Sequence, residues 1–115
     1  MSKQRVLIVE DDKDVARVTR GFVERHPDFA VIAEAATGRA ALEAIFTFKP
    51  DLVLLDIYLP DTTGIAVLRA ARARGYAGEV VAVTAASEVE TVRRARQLGV
   101  RHYLVKPFTM SAMHE

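Results

Sequence analysis

The chain has 115 residues, half of them hydrophobic and 27% charged, with a formal net charge of +1 and no cysteine. That length suits one domain with one sizeable core, the composition excludes a disordered chain, and the lack of cysteine excludes disulfides and thiolate metal sites. Residues 1–57 hold 8 basic and 10 acidic groups and residues 58–115 hold 8 and 5, a tilt that fits solvated helix faces and is too weak for direct nucleic-acid binding.

The first strand reads as "RVLIV" (5–9). A helix follows in which Val15, Val18, Thr19, Phe22 and Val23 recur at helical spacing, until "HPD" ends it. The second strand is "AVIAEA" (30–35), and after "TGRA" a second helix turns Ala41, Leu42, Ile45 and Phe46 inward. "DLVLL" (51–55) is the third strand, apolar enough for burial on both faces. Pro60 and Gly64 supply the loop chemistry that leads into a third helix, which starts near Thr62–Gly64 and carries Ile65, Leu68 and Ala71 before Gly75. "EVVAVT" (79–84) is the fourth strand. A fourth helix is expected from Ser87, with Glu90 completing a capping box, to Gly99. "RHYLV" (101–105) is the fifth strand. Only "FTMSAMHE" follows Pro107, about two helical turns, so the last helix is expected to be cut short. No run approaches the roughly 20 apolar residues of a membrane span, and no signal-peptide pattern is present, so a cytoplasmic location is expected.

Such alternation predicts an α/β fold: a doubly wound, five-stranded parallel sheet of order 2-1-3-4-5, flavodoxin-like, a (βα)5 unit with a shortened last helix. In sheets of this kind ligands sit outside the carboxyl ends of the strands. Strand 1 ends in Glu10-Asp11-Asp12, strand 3 in Asp56, strand 4 in Thr84 and strand 5 in Lys106. These four strands are neighbours in the expected order, so the groups converge on one edge. Crowded carboxylates repel and call for a cation. With no thiolate or histidine cluster at hand, that cation is a hard, oxygen-seeking one, with Mg²⁺ the default. Such a site suits phosphoryl transfer, with Asp56 as the attacking carboxylate and Thr84 and Lys106 holding the remaining phosphoryl oxygens. Any one of these residues alone has an ordinary explanation as a cap, turn or surface group. Their joint placement is the specific signal.

The segments "VEDD" (9–12), "LLDIYLPDTTG" (54–64), "VTA" (83–85) and "YLVKPF" (103–108) resemble the receiver domain of two-component response regulators. The wording of "DIYLPDTTG" is most similar to the citrate and C4-dicarboxylate responsive branch. The resemblance covers residues 1–115 as one receiver domain, cut within its last helix. It implies that Asp56 is the phosphoacceptor and that Asp11, Asp12, Asp56 and the backbone carbonyl of Tyr58 hold Mg²⁺. It further implies a sensor histidine kinase as partner, and a C-terminal effector, helix-turn-helix in type, beyond this chain. It also implies a cis Lys106–Pro107 bond, accessible because X-Pro bonds make cis cheap. In the family's switch, phosphoryl binding draws Thr84 inward and an aromatic ring, here Tyr103, moves with it.

Tyr58 and Ala86, two residues after Asp56 and Thr84, carry neither carboxylate nor amide to orient water, so slow loss of the phosphoryl group is expected. Leu104, Phe108 and Met110 suit a homodimer if the last helix is short. Two rival functions are an interaction module that no longer takes phosphate and a Mg²⁺-dependent phosphatase. Against the phosphatase, Tyr58 stands where a second general acid would be needed, and no cap domain encloses a substrate.

Overall fold

The computed structural model describes residues 3–85, 93, 96–100 and 102–106, with the backbone alone at 84, 85, 105 and 106. Along the chain run β1 (Gln4–Val9), α1 (Lys13–Arg25), β2 (Phe29–Ala35), α2 (Gly38–Phe48), β3 (Leu52–Asp56), α3 (Gly64–Ala73), β4 (Glu79–Ala85) and β5 (His102–Lys106). The strands form one sheet of order β2-β1-β3-β4-β5, every neighbouring pair parallel. This is the doubly wound arrangement expected from the alternation of apolar runs and amphipathic segments. The expected helix from Ser87, the state of the Lys106–Pro107 bond, the length of the last helix, and Ala86, Phe108 and Met110 lie outside the described residues.

Successive residues of a strand face opposite sides of the sheet, and the two cores follow that parity. Leu7, Val9, Val53, Leu55, Val80 and Ala82 meet Ala41, Ile45, Val67, Leu68 and Ala71 from α2 and α3 on one side. Val6, Ile8, Leu54 and Val83 meet Val23 of α1 on the other. Val6–Val9 of β1 and Leu52–Leu55 of β3 are therefore uninterrupted apolar runs because both faces are covered there. β2, at the edge, is only half-buried over most of its length.

Two helical faces differ from the sequence expectation. Val18, at helical spacing with the inward residues of α1, is 54% exposed, and the smaller Ala16 is buried instead. In α3 the buried set is Gly64, Val67, Leu68 and Ala71, with Ile65 only partly covered. A periodic pattern locates a helical stripe but not its exact centre, and here each stripe is turned by about one residue.

Arg72 ties the end of α3 to the segment entering β5. Its Nε donates to Leu98 O at 2.9 Å, and its Nη1 donates to Tyr76 O and Gly78 O, both at 2.8 Å. Tyr76 in turn donates its hydroxyl to Pro50 O at 2.6 Å, and burial pushes the Tyr76 phenol above its usual value. One planar cation thus serves three carbonyls in two loops, a geometry a lysine cannot reproduce. Arg72→Ala is expected to lower stability by about 2–3 kcal/mol, because charge-assisted bonds are lost and their carbonyls stay half-buried. Urea unfolding checks this, with Arg72→Lys expected between alanine and wild type; an unchanged midpoint for the alanine variant would contradict it.

Candidate functional site

β1 and β3 are paired with Ile8 opposite Leu54 and Val9 opposite Leu55. Continuing that register by one pleat places Glu10 beside Asp56, on the α1 side of the sheet that Ile8 and Leu54 share. The ladders run on past both residues: Glu10 N donates to Ala35 O at 2.9 Å and Ile57 N donates to Val83 O at 3.3 Å. Rigid backbone therefore fixes two carboxylates side by side. Both are buried, Glu10 to 7% and Asp56 to 6% exposure. Asp11, exposed at the next position, completes the group, and one carboxylate oxygen from each of the three lies within 4.8 Å of the others.

At such separations like charges repel by about 3 kcal/mol per pair at an effective dielectric near 20. A divalent cation relieves that repulsion, and the donors are all carboxylate oxygens, two of them held on strand ends. The residues present therefore fit a hard cation, with Asp11 on the open side where further ligands can enter. Glu10 is the member that sequence reasoning passed over. Its signal was parity: two residues beyond Ile8, it falls on the same face as Asp56.

Asp12, expected beside Asp11 on the cation, falls outside this trio and has a structural task. Its Oδ1 accepts from Asp14 N at 2.9 Å and Val15 N at 3.2 Å, capping α1, and its own N–H donates to Glu10 Oε2 at 3.2 Å. The cap thereby orients the neighbouring Glu10 carboxylate. Tyr58 is 54% exposed and its N–H reaches Asp56 Oδ1 at 3.4 Å, which leaves its side chain on the open rim. Thr84 pairs with Val105 and Ala85 with Lys106, so Thr84 and Lys106 lie at the carboxyl ends of their strands, as expected. Their side chains lie outside the described residues. Tyr103 pairs with Ala82, two residues before Thr84 on β4, and is 39% exposed.

The loop from Asp56 to α3 is closely held. Tyr58 and Thr63 form an antiparallel bridge, Leu59 N donates to Thr62 O at 3.0 Å, and Gly64 N donates to Ile57 O at 2.6 Å. At the tip of the loop, Asp61 accepts from the N–H groups of Gly38 and Arg39 at 2.8 and 3.1 Å. These bonds, that from Gly38 foremost, hold the Asp61 carboxyl below the usual carboxylate range. Their support is therefore complete above that range and is lost as pH falls through the lowered value.

Residues 6–115 match the family model described as response regulator receiver domain. A protein of Priestia megaterium named "Probable C4-dicarboxylate response regulator DctR" is 43% identical over 110 residues, covering 96% of this chain and 48% of its own length. The transcriptional regulatory protein CitT of Halalkalibacterium halodurans is 40% identical over 113 residues, covering 96% of this chain and 49% of its own. The chain spans about half the length of the curated relatives it matches. Among solved structures, a two-component response regulator of the LuxR family from Aurantimonas sp. SI85-9A1 aligns with a TM-score of 0.89 at 28% identity, covering 98% of this chain and 81% of that one. The receiver domain of NtrX from Brucella abortus aligns with a TM-score of 0.82 at 26% identity, covering 95% and 91%. No helix among the described residues is long and apolar enough to cross a membrane. A parallel sheet of order 2-1-3-4-5 with carboxylates gathered at its carboxyl edge is thus matched by likeness over nearly the whole chain: it belongs to the response regulator receiver domain family, on the branch of the relatives named DctR and CitT.

Proposed function

We propose that this receiver is a phosphorylation-controlled switch that takes a phosphoryl group from a sensor histidine kinase onto Asp56, with Mg²⁺ as cofactor. The observation that carries this reading is the Glu10–Asp11–Asp56 cluster, built on the ends of two paired strands. Glu10, Asp11 and Asp56 would hold the cation with the backbone carbonyl of Tyr58, while Asp12 fixes the turn that aims Glu10. Bound there, Mg²⁺ supplies positive charge against the oxygens of the transferring phosphoryl group. A carboxylate oxygen of Asp56 attacks phosphorus; a P–O bond forms, the P–N bond to the kinase histidine breaks, and its electron pair returns to the imidazole. Thr84 and Lys106, from strands β4 and β5, donate to the phosphoryl oxygens. Occupation of Thr84 biases the β4–β5 surface, with Tyr103 as the mobile ring. The output is an effector segment outside residues 1–115, of DNA-binding type, in a cytoplasmic regulator; the transcriptional relatives support that placement.

The test is intact mass after incubation with Mg²⁺ and a small acyl phosphate. One phosphoryl group is expected, mapped to Asp56 and abolished by a chelator. No adduct would leave a phosphate-independent interaction module, and donor turnover without an adduct would indicate a phosphatase. Lifetime is a separate expectation. Ala86→Glu places a water-orienting carboxylate two residues after Thr84, so its adduct is expected to decay about tenfold faster than the wild type's. Equal decay rates would contradict that.

A further inference from the structure

The first turn of α2 leaves the N–H groups of Gly38, Arg39 and Ala40 without partners inside the helix. Ala40 N finds the local cap, Thr37 Oγ1, at 3.0 Å. The other two reach across to Asp61, 23 and 22 residues further on, Gly38 N to Oδ1 and Arg39 N to Oδ2. A carboxylate bound through both oxygens at the positive end of a helix is a favourable, charge-assisted clamp. Steric fit supports it from the same side. A Cβ on Gly38 would stand 2.3 Å from Thr62 Cγ2 and 2.9 Å from Val67 Cγ2, so loop and helix meet with no space between them.

The clamped residue lies at the tip of the loop whose base is Asp56. Between tip and base run the Leu59–Thr62 bond and the Tyr58–Thr63 bridge, and Tyr58 N closes on Asp56 Oδ1. A fixed tip therefore means a fixed Tyr58. We infer that Asp61 is a positioning residue: by fastening the tip of the β3–α3 loop to the first turn of α2, it keeps Tyr58 in place beside Asp56 and sets how long a phosphoryl group survives there. This rests on the function proposed above. Released from α2, the loop swings Tyr58 off the open rim and admits water to the phosphoryl group.

The test compares Asp61→Ala, Asp61→Asn and Thr37→Ala with wild type. Each protein is loaded with acyl phosphate and Mg²⁺, and adduct decay is followed by intact mass after the donor is removed. Amide exchange at Leu59 and Gly64 is read in parallel on the metal-free, unphosphorylated protein. Asp61→Ala is expected to shorten the lifetime by about tenfold, as small displacements at a reacting centre do, and to speed exchange at both amides. Asp61→Asn, which keeps one acceptor oxygen without charge, is expected between it and wild type. Thr37→Ala removes the other cap of the same helix, so it lowers the melting temperature but leaves lifetime and loop exchange unchanged. Equal lifetimes in Asp61→Ala and wild type, or an equal shortening in Thr37→Ala, would overturn the inference and leave the receiver reading standing. No adduct on wild type would overturn that reading and this inference with it.

Discussion

Asp56→Asn is expected to carry no phosphoryl adduct under conditions that load the wild type fully, and to be the more stable protein when no divalent cation is present. The first effect follows from chemistry. An amide oxygen is a far weaker nucleophile than a carboxylate. The second effect follows from electrostatics. Asp56 is almost fully buried against two further carboxylates, and the asparagine removes one charge while filling the same volume. The solvent at Asp11 and the further groups that Glu10 and Asp56 each interact with offset much of the pairwise repulsion, leaving a net relief of about 1–2 kcal/mol. In a domain of this size that raises the melting temperature by several degrees, roughly 4 °C per kcal/mol. Adding Mg²⁺ should narrow the gap, because only the wild type has the full set of charges to bind it. Thermal scans of both proteins with chelator and with Mg²⁺ read the sign directly. A variant less stable than wild type in chelator would mean that the carboxylates do not repel as their geometry implies.

How much of this was legible in the sequence depended on the range of the interaction. β1 and β3 could be read because burial on both faces leaves an uninterrupted apolar run. The sheet order followed from the alternation of strands and helices. Asp56 stood out for the same reason, a carboxylate ending such a run. Glu10 did not, because "EDD" offers three acids and only the β1–β3 register decides which of them lies beside Asp56. Asp12 was expected on the cation, yet "DDKD" also spells a helix cap, and the backbone uses it that way. Val18 misled because helical spacing does not fix the rotation of a helix about its axis. Asp61 was unreadable in principle. Nothing local in "LPDTTG" tells that its carboxylate serves N–H groups on another helix, 22 and 23 residues back.

Gly64→Ala is expected to be the most damaging small substitution in the loop, costing about 3 kcal/mol or more and slowing phosphorylation of what remains folded. In the sequence this glycine passes for an ordinary helix start. In the structure a Cβ at this position would stand 2.3 Å from the carbonyl oxygen of Asp56, 3.0 Å from Ile57 Cα and 3.1 Å from Asp56 C. All three are backbone atoms of Asp56, the proposed phosphoacceptor, and of the residue after it, so no rotamer change relieves the clash. Either α3 withdraws, breaking the 2.6 Å bond from Gly64 N to Ile57 O, or Asp56 itself is displaced. Both outcomes reach the site, since Ile57 packs in the core between β3 and α3. Two other glycines calibrate the claim. At Gly38 the obstructing atoms are side-chain methyls of Thr62 and Val67 and not backbone, so Gly38→Ala should cost less than Gly64→Ala. At Gly75, with φ of +94° and open space around it, alanine meets only the left-handed backbone penalty of about 1–2 kcal/mol. The expected order of lost stability in urea is therefore Gly64→Ala first, with only Gly64→Ala also lowering the rate of adduct formation at saturating donor. If Gly64→Ala loses no more stability than Gly75→Ala, the contact with the Asp56 carbonyl is not what demands a glycine there.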